Sequence, residues 1–538
     1  MTSVASANDA SGDAPDGGHK VGHNNLEVEL KFELTVADAR ALWRFPQFKA
    51  MLTGRPRTKT LRATYFDTPD FKLAERMVSL RVRKESRSYV QCLKANAADA
   101  SVTGFARHEW EWRVPGPDLD ASLMRGDPQI KTLLKGIKIS DLCVLYSTDI
   151  KRQSRDLVTP GGTRIVCEFD QGRVMGGGAE APLVELELEL LSGDVGELLK
   201  LAQLVTSVVP ARLSTRTKAT RGFILAQGAG PVWEKARNPR MSKSASAEDV
   251  LRCSVLEGLK HLIANEDCVL ARCHIEGVHQ MRVALRRMRS VITTYKSVLP
   301  AGTFENLSQN LKDAGAVLGP ARDWDVFLAE VLNTVEVGFE NNPALALMRV
   351  RAQIKQDQAY RDADAFIHSE AYARLLTDAL VWVGTTAWRG AQPNETSALF
   401  DASAKNIAKG ILTKRHKRLL KAGKELKSLS TEQRHLLRIV IKKVRYAAEF
   451  FADLFPGKTT QIYLEGLKGL QNSLGHLNDL ATAERLMAEL AEGVQGQDAL
   501  VLHRGAGLVE GWYLHAQSLR EDNLLKAWKT FHSTKTFW

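Results

Sequence analysis

The chain has 538 residues, of which 44% are hydrophobic and 25% charged, and these ordinary globular values exclude a wholly disordered or fibrous protein. Its 74 lysines and arginines exceed its 62 aspartates and glutamates, so the net charge is +12 and we expect a polyanionic partner: nucleic acid, a membrane surface or a phosphate compound. No apolar stretch reaches the roughly 18 residues that a membrane-spanning helix needs, and we predict no membrane partner.

Residues 1–25 are polar and rich in glycine, alanine and aspartate. They lack the apolar segment of a signal peptide, and we expect a disordered tail. The six cysteines, later in the chain, form no CxxC pair, and the spacing of Cys268, Cys273 and His274 matches no common zinc site. We therefore interpret the cysteines as buried or incidental thiols and predict a cytoplasmic protein.

From residue 26 to residue 228, about eight short segments alternate between apolar and charged residues. In LEVELKFEL (26–34), for example, five apolar side chains fall on one face of the strand and four charged side chains on the other. Such segments, separated by turns, predict an antiparallel sheet or barrel. Residues 229–246 contain glycine, proline and serine without periodicity and predict a linker to the part that follows.

Charged side chains of one sign stack on several of these predicted strands. Arg81 and Arg83 share a face, and Glu185, Glu187 and Glu189 form an acidic ladder. Like charges stacked in this way repel one another unless opposite charges or cations offset them. Each strand alone fits a sheet with one solvated face, whereas closing the sheet with the charged faces inward would form a polar tunnel. Its carboxylates would suit Mg²⁺ and its cations phosphate oxygens, and no P-loop motif offers another phosphate site.

Several motifs occur together in this region: ExExK (27–31), YFDTPD (65–70), LRVR (80–83), Leu93-Lys94, RHEWE (107–111) and ELELEL (185–190). With them, residues 26–226 resemble the CYTH, or triphosphate tunnel metalloenzyme, family. The resemblance implies a closed antiparallel eight-stranded β-barrel over residues 26–228. It also implies that the barrel hydrolyses inorganic triphosphate to pyrophosphate and phosphate with Mg²⁺ or Mn²⁺. Other members of the family make cyclic AMP or hydrolyse thiamine triphosphate, and these alternatives stay open.

The same resemblance implies roles for individual residues. The implied metal ligands are Glu27, Glu29, Glu168, Asp170, Glu187 and Glu189. The implied catalytic and phosphate-binding residues are Lys31, Arg81, Arg83, Lys94, Glu111, Arg152 and Lys218. Thr217 stands where the family often has a serine, a mild change that keeps the following Lys218.

Residues 247–530 consist of long segments rich in alanine, leucine and arginine, which predict a helical bundle. Two segments place cations on one helix face at the same spacing: His279, Arg282, Arg286 and Arg289 in the first, and His435, Arg438, Lys442 and Arg445 in the second. The segments lie 156 residues apart, and the same shift relates Leu318-Gly319 to Leu474-Gly475, which predicts an internal duplication. Either helix alone could carry an ordinary solvated basic face, but its repetition favours a positive groove for a long anion.

The motifs HQMRVALRRMRS, LGPARDWDV, LRIVIKKVRY and LGHLNDL occur here in the order that is typical of the CHAD family, which residues 247–530 resemble. The resemblance implies that the helical part binds inorganic polyphosphate, and some members associate with polyphosphate granules. Few aromatic residues accompany the cations, which does not favour nucleic acid. We thus predict a multidomain α+β protein, a barrel followed by an all-α duplicated bundle. The contrasting hypothesis is a polyphosphate-binding protein whose barrel is inactive.

Overall fold

The first part of the chain forms a β-barrel. The computed structural model describes residues 25–96, 106–238, 241–242, 244–389, 395–518 and 521–538. The predicted tail over residues 1–25 lies almost wholly outside the described residues. The strands are β1 (Asn25–Glu33), β2 (Leu52–Asp67), β3 (Val78–Glu85), β4 (Ser88–Asn96), β5 (Ala106–Val114), β6 (Cys143–Val158), β7 (Arg164–Gly176), β8 (Ala179–Ser192) and β9 (Arg212–Ser214).

Eight of these strands close on themselves. The sheet runs in the order β5-β4-β3-β2-β6-β7-β8-β1, and β1 pairs again with β5, so the described strands β1–β8 leave no free edge between them. The pairings are antiparallel, and β9 adds to β1 outside the ring. This arrangement confirms the predicted closed antiparallel eight-stranded barrel.

The two faces of β1 show why the barrel closes with its charges inside. Leu30 and Phe32 are completely buried in the core outside the barrel wall, where they join Leu186 and Leu188 of β8. The intervening charged residues of both strands point the other way because side chains alternate along a strand. The apolar face therefore packs against the surrounding helices, and the charged face lines the interior.

Helices cover the barrel and form the second part of the chain. Those interleaved with the strands are α1 (Val36–Arg44), α2 (Pro46–Met51), α3 (Lys72–Glu75), α4 (Pro128–Leu133), α5 (Val195–Val208) and α6 (Lys218–Ala226). Those that follow are α7 (Ala247–Ala264), α8 (Glu266–Leu270), α9 (Glu276–Tyr295), α10 (Glu305–Val317), α11 (Gly319–Val326), α12 (Asn333–Glu336), α13 (Pro343–Ile367), α14 (Glu370–Gly384), α15 (Glu395–Asp401), α16 (Ala404–Ala422), α17 (Thr431–Phe451), α18 (Lys458–Ser473), α19 (Gly475–Ala491), α20 (Gln497–Ser518) and α21 (Glu521–His532). The described part beyond α6 is helical, as predicted for the C-terminal region.

Helix α6 lies tightly against one end of the barrel. The Thr217 side chain accepts a hydrogen bond from the Thr220 backbone and starts the helix at Lys218. Gly222 packs on the ring of Tyr146, and a Cβ at this glycine would lie only 2.0 Å from that ring. The absence of a side chain thus lets α6 approach closely enough for Lys218 to enter the barrel.

Helices on the two sides of the predicted duplication correspond at the shift of 156 residues. Moving α9 by 156 gives residues 432–451, which nearly coincide with α17. The same shift moves the first residue of α11, Gly319, onto the first residue of α19, Gly475. The starts of α7 and α16 also meet, through an antiparallel bridge between Ser246 and Ser403. This correspondence supports the proposed duplication with two halves facing each other.

The barrel and the helical part share one hydrophobic core. Helix α5, which covers the barrel, packs along α14, with Leu199 against Gly384. Polar contacts lie within this interface, because Gln203 donates a hydrogen bond to Asp378 at 2.7 Å and Thr206 contacts Thr377 at 3.2 Å. The two parts are therefore held in a fixed arrangement rather than joined by the linker alone.

Arg212 of β9 forms an ion-pair cluster across the same boundary. Its guanidinium contacts Glu33 of the barrel and, at 2.9 Å each, Glu266 and Asp267 of the helical part. The Tyr372 hydroxyl donates a second hydrogen bond to Glu266 at 2.7 Å. Complete burial raises the pKa of Glu266 to about 7, even though Arg212 and Tyr372 favour the ionised form. One arginine thus pairs with three carboxylates, and it does not fully offset the burial of Glu266, whose pKa stays raised.

Two expectations about the chain can be compared with the structure. Cys268 and Cys273 form a disulfide in the turn before α9, where their Cα atoms lie 5.3 Å apart. The interpretation of all six cysteines as thiols was therefore wrong for this pair, because spacing along the chain does not reveal that the turn brings them together.

Among the described residues, no helix has the length and apolar character needed to cross a membrane.

The pKa of Glu266 predicts how stability depends on pH. The folded protein keeps the Glu266 carboxyl protonated up to about pH 7, whereas the unfolded chain loses this proton near pH 4.5. The free energy of unfolding of the wild type therefore falls as the pH rises from 4.5 to 7. Glu266→Gln does not titrate there, and we expect its free energy of unfolding to gain about 2–3 kcal/mol relative to wild type between these two pH values. Urea unfolding across the pH range measures the difference. For Glu180→Gln, at an exposed site, the stability difference from wild type should not change with pH. If the difference between Glu266→Gln and wild type also stays constant across the pH range, the prediction is wrong.

Candidate functional site

The interior of the barrel is a cavity of about 250 Å³ lined almost entirely by charged side chains. All eight strands of the closed barrel and the first turn of α6 contribute to it. We call this cavity the tunnel. Its lining residues are Glu27, Glu29, Lys31, Tyr65, Ser79, Arg81, Arg83, Lys94, Arg107, Glu109, Glu111, Arg152, Glu168, Glu187, Glu189, Thr217, Lys218 and Ala219.

One side of the tunnel is held by a buried ion-pair cluster around Glu187. Lys31 and Arg152 bind its carboxylate, and Lys218 lies 3.0 Å from it. Burial opposes ionisation of Glu187, but the three cations outweigh it and lower its pKa well below the usual value. Asp170, completely buried on the same face of β7 as Glu168, binds both Arg152 and Lys218. These carboxylates are thus already neutralised by the protein.

Next to this cluster, two residues along β8 from Glu187, the tunnel carries excess negative charge around Glu189. Lys94 binds Glu27 at 2.6 Å and Glu109 at 3.0 Å, which offsets part of it. Glu189 makes no ion pair with any residue that the structure describes. Burial, followed by the charges of Glu27 and Glu168, raises the pKa of Glu189 to about 7. A cation placed among these carboxylates would relieve their mutual repulsion.

Two arginines of β3 supply cations with free hydrogen-bonding capacity. The Nε atoms of Arg81 and Arg83 are buried and have no hydrogen-bond partner among the described residues. Arg81 reaches the Tyr65 hydroxyl at 3.3 Å, and Arg83 pairs with Glu85 and, at 3.4 Å, with Glu111 at the tunnel edge. A buried donor without a partner is costly unless a ligand satisfies it. These guanidinium groups are therefore suited to an anion inside the tunnel.

The structure brings most of the predicted barrel residues together. All of them line the tunnel except Asp170, which lies behind Arg152. Sequence analysis did not select Arg107 and Glu109, although they share one face of β5 with Glu111. It placed Glu185 in the acidic ladder but not among the implied metal ligands; Glu185 binds Lys218, and one of its carboxylate oxygens lies within 4.8 Å of an oxygen of Asp170 and of Glu187. The two-residue alternation was the signal that would have included these three residues.

In the helical part, the two predicted basic faces meet. Helix α9 packs on α17, and Tyr446 lies between them with Arg286 and Arg445 over its ring, at 5.5 and 4.7 Å from the centroid. The Arg286 and Arg289 Nε atoms are buried without a partner among the described residues. We call this surface the basic groove; its predicted residues are His279, Arg282, Arg286 and Arg289 on α9 and His435, Arg438, Lys442 and Arg445 on α17.

Not all of these residues contribute a free positive charge. Burial, and then the charge of Arg322, lowers the pKa of His279 to about 4, so this histidine is neutral near pH 7. Arg282 donates to the Gly315 carbonyl at 2.9 Å, and Arg445 binds Glu449. Arg322 itself was not predicted, although it stands in the LGPARDWDV motif and its Nη1 is buried without a partner among the described residues.

Comparison with known proteins matches residues 25–223 to the CYTH domain and residues 254–488 to the CHAD domain, which confirms both resemblances. An inorganic triphosphatase of Haemophilus influenzae is 29% identical over 206 residues; the match covers 37% of this chain and 54% of that protein, so the chain spans about half the length of this curated relative. An uncharacterised protein of Mycobacterium tuberculosis is 25% identical over 530 residues, covering 88% of this chain and 91% of that protein. The crystal structure of the CHAD domain from the plant Ricinus communis is 30% identical, with a TM-score of 0.49, and covers 57% of this chain and 98% of that chain.

The cluster around Arg152 predicts a large effect of removing one cation. Arg152→Met leaves the carboxylates of Glu168, Asp170 and Glu187 without a shared partner, and we expect a loss of about 3–5 kcal/mol in the free energy of unfolding. The matched control is Arg57→Met on β2, whose half-exposed pair with Asp156 should be worth less than about 1 kcal/mol. Urea unfolding with a metal chelator present measures both, and equal losses would refute the argument.

Proposed function

Because the chain belongs to the proteins in which a CYTH domain precedes a CHAD domain, we propose that its barrel hydrolyses inorganic triphosphate with a divalent metal and that its helical part binds inorganic polyphosphate. The observation that carries the proposal is the composition of the tunnel. Arg81 and Arg83, whose Nε atoms have no partner among the described residues, line the same small cavity as carboxylates with a surplus of negative charge. Phosphate oxygens and a hard cation would satisfy both sets of groups at once.

The donor set suits a divalent cation on the side of Glu189. Glu27, Glu168 and Glu189 are oxygen donors, the ligand type that Mg²⁺ and Mn²⁺ prefer, and the raised pKa of Glu189 is the sign of charge that the protein does not neutralise. Glu29 lies directly across from Glu189 in the β1–β8 pairing. A metal held there would polarise phosphoryl oxygens and lower the pKa of a bound water. Asp170 and Glu187 then serve mainly to fix Arg152 and Lys218.

The cations of the tunnel would bind the substrate. Arg81 and Arg83 line it and carry Nε donors without a partner among the described residues, and Lys94 lies between the carboxylates and these arginines. They would neutralise the charge that spreads over the phosphoryl oxygens in the transition state. Hydrolysis joins a water oxygen to a terminal phosphorus and breaks the bridging P–O bond, which yields pyrophosphate and phosphate. No serine or cysteine nucleophile is required.

In the helical part, the basic groove provides charge without a surface for bases. Arg286 and Arg289 carry Nε donors without a partner among the described residues, while the ring of Tyr446 between the two helices is already covered by Arg286 and Arg445. Phosphate chains need only cations, so they fit this groove better than nucleic acid does. Charge-driven binding should weaken steeply as salt increases. We place the protein in the cytoplasm, where polyphosphate granules would be a binding surface for it.

The triphosphatase proposal is tested by the carboxylates on β1. We expect Glu27→Gln/Glu29→Gln to lower kcat/KM for tripolyphosphate with Mg²⁺ or Mn²⁺ by at least about a hundredfold, because the metal loses two oxygen ligands. Phosphate release measures the rate, and Glu180→Gln on the outer surface of β8 is the control. Equal rates in wild type and the double variant would refute the proposal. A higher kcat/KM for ATP or thiamine triphosphate than for tripolyphosphate would reassign the substrate.

The polyphosphate proposal is tested in the basic groove. We expect Arg286→Glu/Arg289→Glu to weaken polyphosphate binding by at least about tenfold at moderate salt and to leave tripolyphosphate turnover unchanged. Binding is measured by fluorescence anisotropy of labelled polyphosphate, and the salt dependence should become shallower in the variant. Arg361→Glu/Arg374→Glu, on exposed surfaces of α13 and α14, carries the same change in charge and should bind like wild type. Equal losses in both variants would mean that net charge, not the groove, controls binding.

A further inference from the structure

The tunnel opens into a second cavity between the barrel and the helical part. This cavity measures about 430 Å³, and Ser79, Lys94, Arg107, Thr217 and Ala219 line both it and the tunnel. Its opposite wall includes Arg237 of the segment after α6 and Ala264 at the end of α7. A group bound in the tunnel therefore has a direct route to the boundary between the two parts of the chain.

A third cavity, of about 250 Å³, continues this route along α7. It shares Arg107, Glu234 and Arg237 with the second cavity, and Lys235, Lys260 and His261 extend it. We call the two connected cavities the cleft. Six cations line the cleft against three carboxylates, namely Lys94, Arg107, Arg216, Lys235, Arg237 and Lys260 against Glu75, Glu234 and Glu257. Lys94 and Arg107 also line the tunnel, so four of these cations and the three carboxylates lie outside it, and the cleft as a whole has a net positive lining.

Two ion pairs in the cleft, those of Arg237 and Lys260, are weak enough for an anion to replace the carboxylate. Arg237 lies 3.7 Å from Glu234 with two thirds of its side chain exposed, and Lys260 pairs with Glu257 at 3.0 Å on the surface of α7. Such exposed pairs contribute little to stability, so exchanging a carboxylate for a phosphate oxygen costs little. This differs from the tunnel, where the pairs of Lys31 and Lys218 are buried.

The segment that carries Arg237 also contacts α9, the helix that forms one side of the basic groove. Arg287, the neighbour of Arg286 on α9, donates a hydrogen bond to the side chain of Asn238 at 2.6 Å. Asn238 directly follows Arg237, which lines the cleft. The contact between Arg287 and Asn238 therefore joins the helix of the basic groove to the segment whose Arg237 lines the cleft, and the cleft leads on to Arg107 and Lys94 at the tunnel.

We propose that the cleft binds a linear polyphosphate chain and leads its end from the basic groove into the tunnel, so that the barrel shortens the polymer held by the helical part. The inference rests on the proposed function of both parts. In each step a water oxygen bonds to the terminal phosphorus and the bridging P–O bond breaks. Orthophosphate leaves, the remaining chain keeps the bridging oxygen, and the proton of the water passes to solvent. The chain is one unit shorter and its new end can advance.

The test compares a short and a long substrate in the full-length protein with its metal. Arg237→Glu/Lys260→Glu reverses two cleft cations that do not line the tunnel. We expect kcat/KM for tripolyphosphate to stay within about twofold of wild type, because this substrate fits in the tunnel, and kcat/KM for long-chain polyphosphate to fall by about tenfold or more. Lys200→Glu/Arg374→Glu is the matched control. It reverses the same number of charges, and Lys200 and Arg374, like Arg237 and Lys260, each form one ion pair at the surface. It should change neither value.

The other outcomes separate this inference from the proposed function. If wild type cleaves tripolyphosphate but not long-chain polyphosphate, or if the cleft variant cleaves both as wild type does, the inference is wrong and the triphosphatase stands. If the cleft variant loses both activities while its circular dichroism is unchanged, the cleft is part of the tunnel site and the inference is likewise overturned. A selective loss of ATP turnover would assign the cleft to a nucleoside. Inactive wild type on every phosphate substrate would refute the proposed function and, with it, the inference. Arg237→Gln/Lys260→Gln repeats the test if the reversals impair folding.

Discussion

Balancing buried charge is the constraint on which the barrel depends. Closing the sheet turns the charged faces of its strands away from water, where an unpaired ion is very costly. The protein meets this constraint on one side of the tunnel, where Arg152, Lys31 and Lys218 neutralise Glu187 and its neighbours. Near Glu189, by contrast, the protein does not neutralise the negative charge, and the Nε atoms of Arg81 and Arg83 have no hydrogen-bond partner among the described residues. The places where balance fails are those where a metal and a phosphate chain would complete it.

The barrel and its charged interior could be predicted from the sequence because the alternation along each strand places its charged residues on one face. Residues that share a face along a strand must share the interior once the sheet closes, so β1 and β8 could be assigned to the tunnel without coordinates. What alternation does not reveal is which carboxylate is neutralised by which cation. Glu187 and Glu189 are equivalent in the acidic ladder, yet the pKa of the first is lowered and that of the second raised. That distinction depends on α6, which brings Lys218 to one of them.

Helix periodicity similarly predicted the basic groove, and the spacing of 156 residues indicated that its two sides are related. The stripe of Met281, Ala284, Leu285 and Met288 is buried as expected, which turns the cations of α9 outward. The neutral state of His279 could not be read from the pattern, because it follows from burial beside Arg322, a residue on another helix. The Cys268–Cys273 disulfide and the Arg212 cluster were missed for the same reason. Each depends on a contact between elements rather than on order within one.

The interface between α5 and α14 also bears on how the two parts could change over evolution. Leu199 packs against Gly384, and Thr206 touches Thr377, so the barrel contributes side chains to a core that it shares with the bundle. Because this core is shared, the stability of each part depends on the other. A substitution that loosens the helical part would lower the tolerance of the barrel to its own mutations, and a stabilising change in either would widen the range of sequences open to both. The two activities proposed for the chain would thus be inherited together, because both parts contribute to one hydrophobic core.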